Sequence, residues 1–84
     1  MGEFMKKIML KDYDSSKGVF IDLSNTKVVG SSMDVSYDDL LINHRELLDK
    51  SKRYFIYCKG GIKSRKAVNI LEFYGYDVTL VYVE

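Results

Sequence analysis

Residues 54–83 read YFIYCKGGIKSRKAVNILEFYGYDVTLVYV, and the fold is decided in this stretch. Tyr54 to Cys58 is an aromatic and β-branched run that follows the charged turn DKSKR, the pattern of a buried strand. After Lys59-Gly60-Gly61, the apolar residues Ala67, Val68, Leu71 and Tyr74 recur at helical spacing, with Ser64 as a candidate cap. Gly75 is placed to stop that helix in the left-handed conformation, and Val78 to Val83 (VTLVYV) forms the next strand. A strand, an amphipathic helix and a second strand joined by short loops predict a parallel pair with a right-handed crossover.

Working upstream, Val19 to Leu23 (VFIDL) reads as another buried strand introduced by Gly18. Ser36 before Tyr37-Asp38-Asp39 places a hydroxyl cap and two carboxylates at the positive end of a helix dipole. Leu40, Leu41, His44, Leu47 and Leu48 then make one apolar stripe, so a helix is expected from Tyr37 to about Lys50. Residues 5–12 can add an edge strand. The fold class is therefore α/β: a small, open, mainly parallel sheet flanked by helices. Met5 reads as a second natural start and Met1 to Phe4 as residue of a cloning site, so a single domain is expected over 5–84.

A chain of 84 residues has room for one core and one site. Its 13 basic against 12 acidic residues leave a net charge of +1, too small a field to draw nucleic acid to the molecule as a whole. The cations of Lys50–Arg53 and Lys59–Lys66 lie beside tyrosines, but these belong to strands and helices, so a solvated rim is expected rather than an RNA surface. One cysteine cannot form an internal disulfide, and no apolar stretch approaches the roughly 20 residues that span a bilayer. The opening MGEFMKK lacks the apolar core of a signal peptide. A cytoplasmic protein without membrane or nucleic-acid partners is expected.

Chemistry is expected at Cys58. In an open parallel sheet, ligands bind beyond the carboxyl ends of the strands, where Cys58 falls. Gly60 and Gly61 let the following backbone curl so that successive N–H groups point at one spot, an anion nest continued by the next helix. Helix termini and nearby cations lower a thiol pKa from about 8.5 to between ~3.5 and ~7.5, and Lys59, Lys63, Arg65 and Lys66 all follow closely. A lone cysteine is more often a small inert core residue; the glycines and cations tip this one toward reactivity. His44, alone on its stripe, is read as structural, and no metal ligand set is found.

The segment YCKGGIKS followed by an apolar helix resembles the active-site segment of rhodanese domains, commonly Y-C-x-x-G-x-R-S-x-x-A. Tyr57, Cys58, Gly61, Ser64 and Ala67 match it, with Lys63 where arginine is usual. GVFIDLS is similar to that family's strand ending in Asp-x-Arg, EFYGYDVTLVYVE to its late helix, glycine stop and last strand, and KVVGSS faintly to its G-H-I-x-G-A segment. The resemblance covers most of residues 18–84 and implies a rhodanese-like fold. It further implies a sulfurtransferase with Cys58 as the catalytic residue and Lys59, Gly60, Gly61, Ile62, Lys63 and Ser64 as the substrate-binding loop. Asp22 and Arg65 would support that loop, Asp22 by holding its backbone or a basic side chain; a turn or capping aspartate is the equal alternative.

The implied activity carries sulfur as a persulfide on Cys58 from a donor such as thiosulfate to a thiol or cyanide acceptor, without a cofactor. With no resolving cysteine, the acceptor comes from a small thiol or a protein thiol. Two departures bear on it. Ser24 stands where the family has the arginine after Asp22, and Lys63 keeps a charge but loses the planar fork that grips an oxyanion, so thiosulfate is expected to be a poor donor. The alternative is a catalytically weak binding or persulfide-sensing module. Cysteine phosphatase or arsenate reductase chemistry fits less well, because it needs an arginine at the position of Ser64 and Arg65 comes one residue late.

Overall fold

The structure is a computed structural model that describes residues 5–24 and 33–83. In chain order the elements are β1 (Lys7–Met9), a 3₁₀ turn (Leu10–Asp12), β2 (Val19–Asp22), β3 (Met33–Asp34), α1 (Tyr37–Ile42), α2 (His44–Leu47), β4 (Arg53–Tyr57), α3 (Ile62–Phe73) and β5 (Asp77–Tyr82). The five strands form one sheet in the order β1-β5-β4-β2-β3, and every pairing is parallel. The expected α/β class, the parallel sheet and the edge strand within residues 5–12 are all present. The KVVGSS segment lies outside the described residues.

β4 is the middle strand, pairing with β2 from Val19↔Tyr54 to Asp22↔Tyr57 and with β5 from Arg53↔Asp77 to Ile56↔Leu80. Being covered on both faces explains why its sequence is an unbroken apolar run rather than an alternating one. Tyr54 and Ile56 join Ile21, Val78 and Leu80 on one face, closed by Ala67, Val68 and Leu71 of α3 and Leu40 of α1. Phe55 and Tyr57 join Phe20 and Val81 on the other face, closed by Ile8, Leu10 and Tyr13. The Tyr13 ring lies 5.0 Å from Phe20 and 5.1 Å from Phe55, and its hydroxyl donates to the Gly18 carbonyl at 2.6 Å. Complete burial of a Leu, Ile, Val or Phe contributes about 1.5–3 kcal/mol each, so these two layers hold the site's strand in place.

Two local expectations need correction. The helix expected from Tyr37 to about Lys50 is two short helices, broken at Asn43 (φ −110°, ψ 24°). Ser36 does cap the first, its Oγ accepting from Asp39 N–H at 3.1 Å. Asparagine is a poor helix former, and the break re-aims the chain so that His44 stacks on Tyr74 at 4.8 Å and its Nδ1 meets Tyr76 Oη at 2.8 Å. His44 is thus a packed, hydrogen-bonded residue. Second, Ser64 is not the cap of α3. Gly61 holds that position with φ 82°, and Ser64 is fully buried in the first turn.

α3 ends as expected at Gly75, which has φ 95°. Gly75 N–H donates to the Glu72 carbonyl and Tyr76 N–H to the Leu71 carbonyl, each at 3.0 Å. This is the paired reverse-turn closure that only a residue tolerant of positive φ completes cheaply, and it turns the chain directly into β5. Among the described residues no helix is long and apolar enough to cross a membrane.

Candidate active site

Cys58 follows the last residue of β4 and is 7% exposed. β4 delivers the sulfur to the carboxyl edge of the sheet, and the chain then turns through Lys59, Gly60 and Gly61 into α3. Gly61 N–H lies 3.1 Å from Cys58 Sγ and Ser64 N–H 3.3 Å from it. The Ser64 hydroxyl is 3.5 Å from the sulfur and 3.3 Å from the Gly61 carbonyl. With the thiol protonated, S–H donates to Ser64 Oγ while the hydroxyl donates to Gly61. On ionisation, the hydroxyl can turn and donate to the sulfur.

Burial of Cys58 pushes its pKa up, but the Ser64 hydroxyl and the N–H groups of Ser64, Gly61 and Lys63 outweigh it, and the thiol is held below its ordinary value. Hydrogen bonds to the charged form act this way wherever they converge on one atom. The anion nest expected from the glycines is therefore present, with its N–H groups directed at sulfur. The side chains of Lys59, Lys63, Arg65 and Lys66 are exposed, and none of them is among the groups that lower the thiol pKa. The groups in contact with the sulfur are the Ser64 hydroxyl and the N–H groups of Gly61 and Ser64.

The mouth of the site is a cleft of about 280 Å³ lined by Leu23, Ser24, Cys58, Lys59, Gly60, Ile62 and Lys63. Ile62, at the crest of the loop, is 67% exposed. Arg65 is not at this mouth. It lines a second concavity of about 180 Å³ on the other flank of the loop, which Cys58, Lys59, Gly60 and Gly61 also line, together with Tyr57, Tyr82 and Val83. A larger cleft of about 390 Å³ opens between Lys6, Lys17 and Arg53 at the amino ends of the strands, but none of its lining residues is a thiol, a histidine or a carboxylate.

Asp22 is fully buried at the end of β2, and its Oδ1 accepts from Ser24 N–H at 3.0 Å and from Ser24 Oγ at 3.3 Å. It thus makes an aspartate turn at the strand end. Ser24 in turn accepts from Lys59 N–H at 2.8 Å. The contact joins residues 35 apart in sequence, and Ser24 was noticed there only as a missing arginine. Among the described residues, no group of three or more His, Cys, Asp or Glu is placed to hold a metal ion.

No protein-family model matches the chain, and no curated protein matches it in sequence. Solved structures do. A rhodanese-related protein from Thermoplasma volcanium superposes with a TM-score of 0.82 at 19% identity, over 93% of this chain and 84% of its own. The reduced Bacillus anthracis CoADR-RHD superposes with a TM-score of 0.80 at 21% identity, over 92% of this chain and 15% of that one. An NAD-dependent persulfide reductase from A. fulgidus gives 0.74 at 17% identity, over 92% of this chain and 15% of that one. At these identities the likeness establishes the fold, which is rhodanese-like.

Proposed function

We propose that this rhodanese-like domain is a sulfurtransferase that carries sulfur as a persulfide on Cys58. The Cys58 thiolate attacks the outer sulfur of a donor such as an organic persulfide or thiosulfate. The new S–S bond forms as the donor's own S–S bond breaks, and the leaving thiolate or sulfite takes the electron pair. The outer sulfur, now carrying the negative charge, sits against N–H groups of the loop. An acceptor thiolate or cyanide then attacks that sulfur, the Cys–S bond to it breaks, and the Cys58 thiolate returns. As this chain has one cysteine, the second thiol belongs to a small molecule or a protein partner, met in the cytoplasm.

The observation that carries this reading is the convergence of Gly61 N–H, Ser64 N–H and the Ser64 hydroxyl on one sulfur at 3.1, 3.3 and 3.5 Å. Preorganised donors of this kind stabilise charge wherever it develops, first on the thiolate and then on the persulfide. Mass spectrometry after incubation with thiosulfate or an organic persulfide is expected to find one added sulfur on Cys58 and none on Cys58→Ser. An unmodified protein with every donor tried removes the proposal.

A second reading is favoured by the side chains at the mouth. Ser24 and Lys63 occupy the positions of two family arginines, so the cleft that these two residues line beside Cys58 has a guanidinium fork from neither position. This suits a module that is persulfidated or oxidised as a signal without rapid turnover. Loading of Cys58 is expected from both readings, and multiple turnovers with an acceptor thiol from the enzyme alone. A phosphatase reading has less support, because the sixth residue after Cys58, where that chemistry needs its arginine, is Ser64, and Arg65 comes one residue late.

A further inference from the structure

The peptide unit between Cys58 and Lys59 is held at both of its polar atoms. Its carbonyl, on Cys58, accepts from Gly61 N–H at 3.2 Å, and its N–H, on Lys59, donates to Ser24 Oγ at 2.8 Å. The first bond is local and closes the turn. The second crosses from another strand. Leu23 N–H donates to the Tyr57 carbonyl at 2.8 Å, extending the β2–β4 ladder one step past Asp22 and bringing Ser24 beside the loop. Asp22 then fixes the serine through both its N–H and its hydroxyl. A buried carboxylate calls for such donors, so the anchor is deep in the sheet.

We infer that Ser24 is a positioning residue for Cys58: anchored on Asp22, its hydroxyl fixes the plane of the Cys58–Lys59 peptide and so the direction in which the sulfur faces the loop N–H groups. The reason is geometric. Gly61 N–H is shared between the Cys58 carbonyl at 3.2 Å and Cys58 Sγ at 3.1 Å, so any rotation of that peptide plane alters both contacts together. Glycine at 60 and 61 offers little resistance to such a rotation, having no Cβ to restrict it. Without the Ser24 bond, the plane is held at its carbonyl end alone. The hydrogen bonds that favour the thiolate depend steeply on distance and angle, and a loosened plane delivers fewer of them at a time. Where the resemblance leads one to expect an arginine, this chain therefore has a short latch that stabilises the loop from the backbone side and contributes no charge to the cleft.

The inference rests on the sulfur-transfer reading only for its effect on turnover, and the primary test does not depend on that reading. Ser24→Ala and Ser24→Thr are compared with the wild-type chain by the pH profile of iodoacetamide alkylation of Cys58, with circular dichroism to establish that each is folded. Ser24→Ala is expected to raise the midpoint by about half a unit to one unit, which slows alkylation below the midpoint by about three- to tenfold. Ser24→Thr keeps the hydroxyl and should stay within about twofold of wild type. In the wild-type chain, the Lys59 amide should exchange with deuterium more slowly than the amides of an open loop, a measurement that stands even if Ser24→Ala does not fold. A profile for Ser24→Ala that superimposes on wild type, equal impairment in Ala and Thr, or a fast-exchanging Lys59 amide each overturns the latch. If the profile shifts as expected while Cys58 takes up no sulfur from any donor, the latch stands and the transfer reading falls. The reverse pair of results does the opposite.

Discussion

Removing the Ser64 hydroxyl measures how much of the Cys58 acidity comes from the loop. Ser64→Ala leaves the N–H of residue 64 at the sulfur and deletes the hydroxyl that lies 3.5 Å away. A hydrogen bond to a charged group contributes about 1.5–3 kcal/mol at ordinary length. This one is long, its acceptor is sulfur, and in the thiol state the hydroxyl has the Gly61 carbonyl at 3.3 Å as another partner. The preference for thiolate over thiol is therefore smaller, about 1 kcal/mol.

At 1.36 kcal/mol per unit, that raises the thiol pKa by about 0.7 and lowers the thiolate fraction below the midpoint about fivefold. The sign follows from the balance at the sulfur. Burial pushes the pKa up, hydrogen bonds pull it down, and the variant removes one of the latter. Alkylation rates measured across pH report the shift directly, because the chain has no second cysteine to compete. Ser64 is fully buried, so urea titration is needed beside the kinetics; about 0.5–1.5 kcal/mol of stability is expected to go with the lost hydroxyl bond, since the Gly61 carbonyl keeps Arg65 N–H at 3.3 Å. An alkylation profile unchanged in the folded variant would refute the assignment of thiolate stabilisation to this hydroxyl.

Three further outcomes are expected. Gly61→Ala should destabilise the chain by about 1–2 kcal/mol in urea titration. Its φ is 82° while nothing lies within 4 Å of the added Cβ, so the cost is conformational alone. Gly60→Ala, with equal space and no left-handed backbone, should be nearly neutral, and equal effects in the two variants would contradict the assigned turn. The pKa of Asp77 is lowered, first by its hydrogen bond with Lys6 and then by Arg53, against the opposing effect of burial. A depressed carboxyl stabilises the fold above its unfolded pKa near 3.9 and loses that contribution as pH falls through its folded value. Asp77→Asn should thus flatten the acid limb of a stability-against-pH curve while costing no more than about 1 kcal/mol at neutral pH, since the Lys6 and Arg53 side chains are 51% and 59% exposed. Lys63→Arg should raise turnover with thiosulfate more than with an organic persulfide, because only the oxyanion gains from a planar fork; equal gains would place the defect elsewhere.

By itself the sequence determined what depends on local periodicity and backbone chemistry. The unbroken apolar run at Tyr54–Tyr57 specified a strand buried on both faces, Gly75 specified the end of α3, and Cys58 ahead of two glycines specified where a loop meets a sulfur. These are properties of neighbouring residues, and any fold that accommodates them must respect them. Only the tertiary structure decided the rest. Whether Ser64 capped a helix or met the sulfur depended on where α3 began, and Gly61 began it sooner. That Asp22 makes a turn onto Ser24, and whether Ser24 was a lost arginine or a hydroxyl bonded to Lys59, depended on the β2–β4 register. Arg65 lines the concavity on the other flank of the loop from Ile62 and Lys63, because successive residues of a helix are rotated by roughly 100°. Each was settled by hydrogen bonds and packing that succeed or fail over a few tenths of an ångström between residues remote in sequence, and no local pattern encodes distances of that kind.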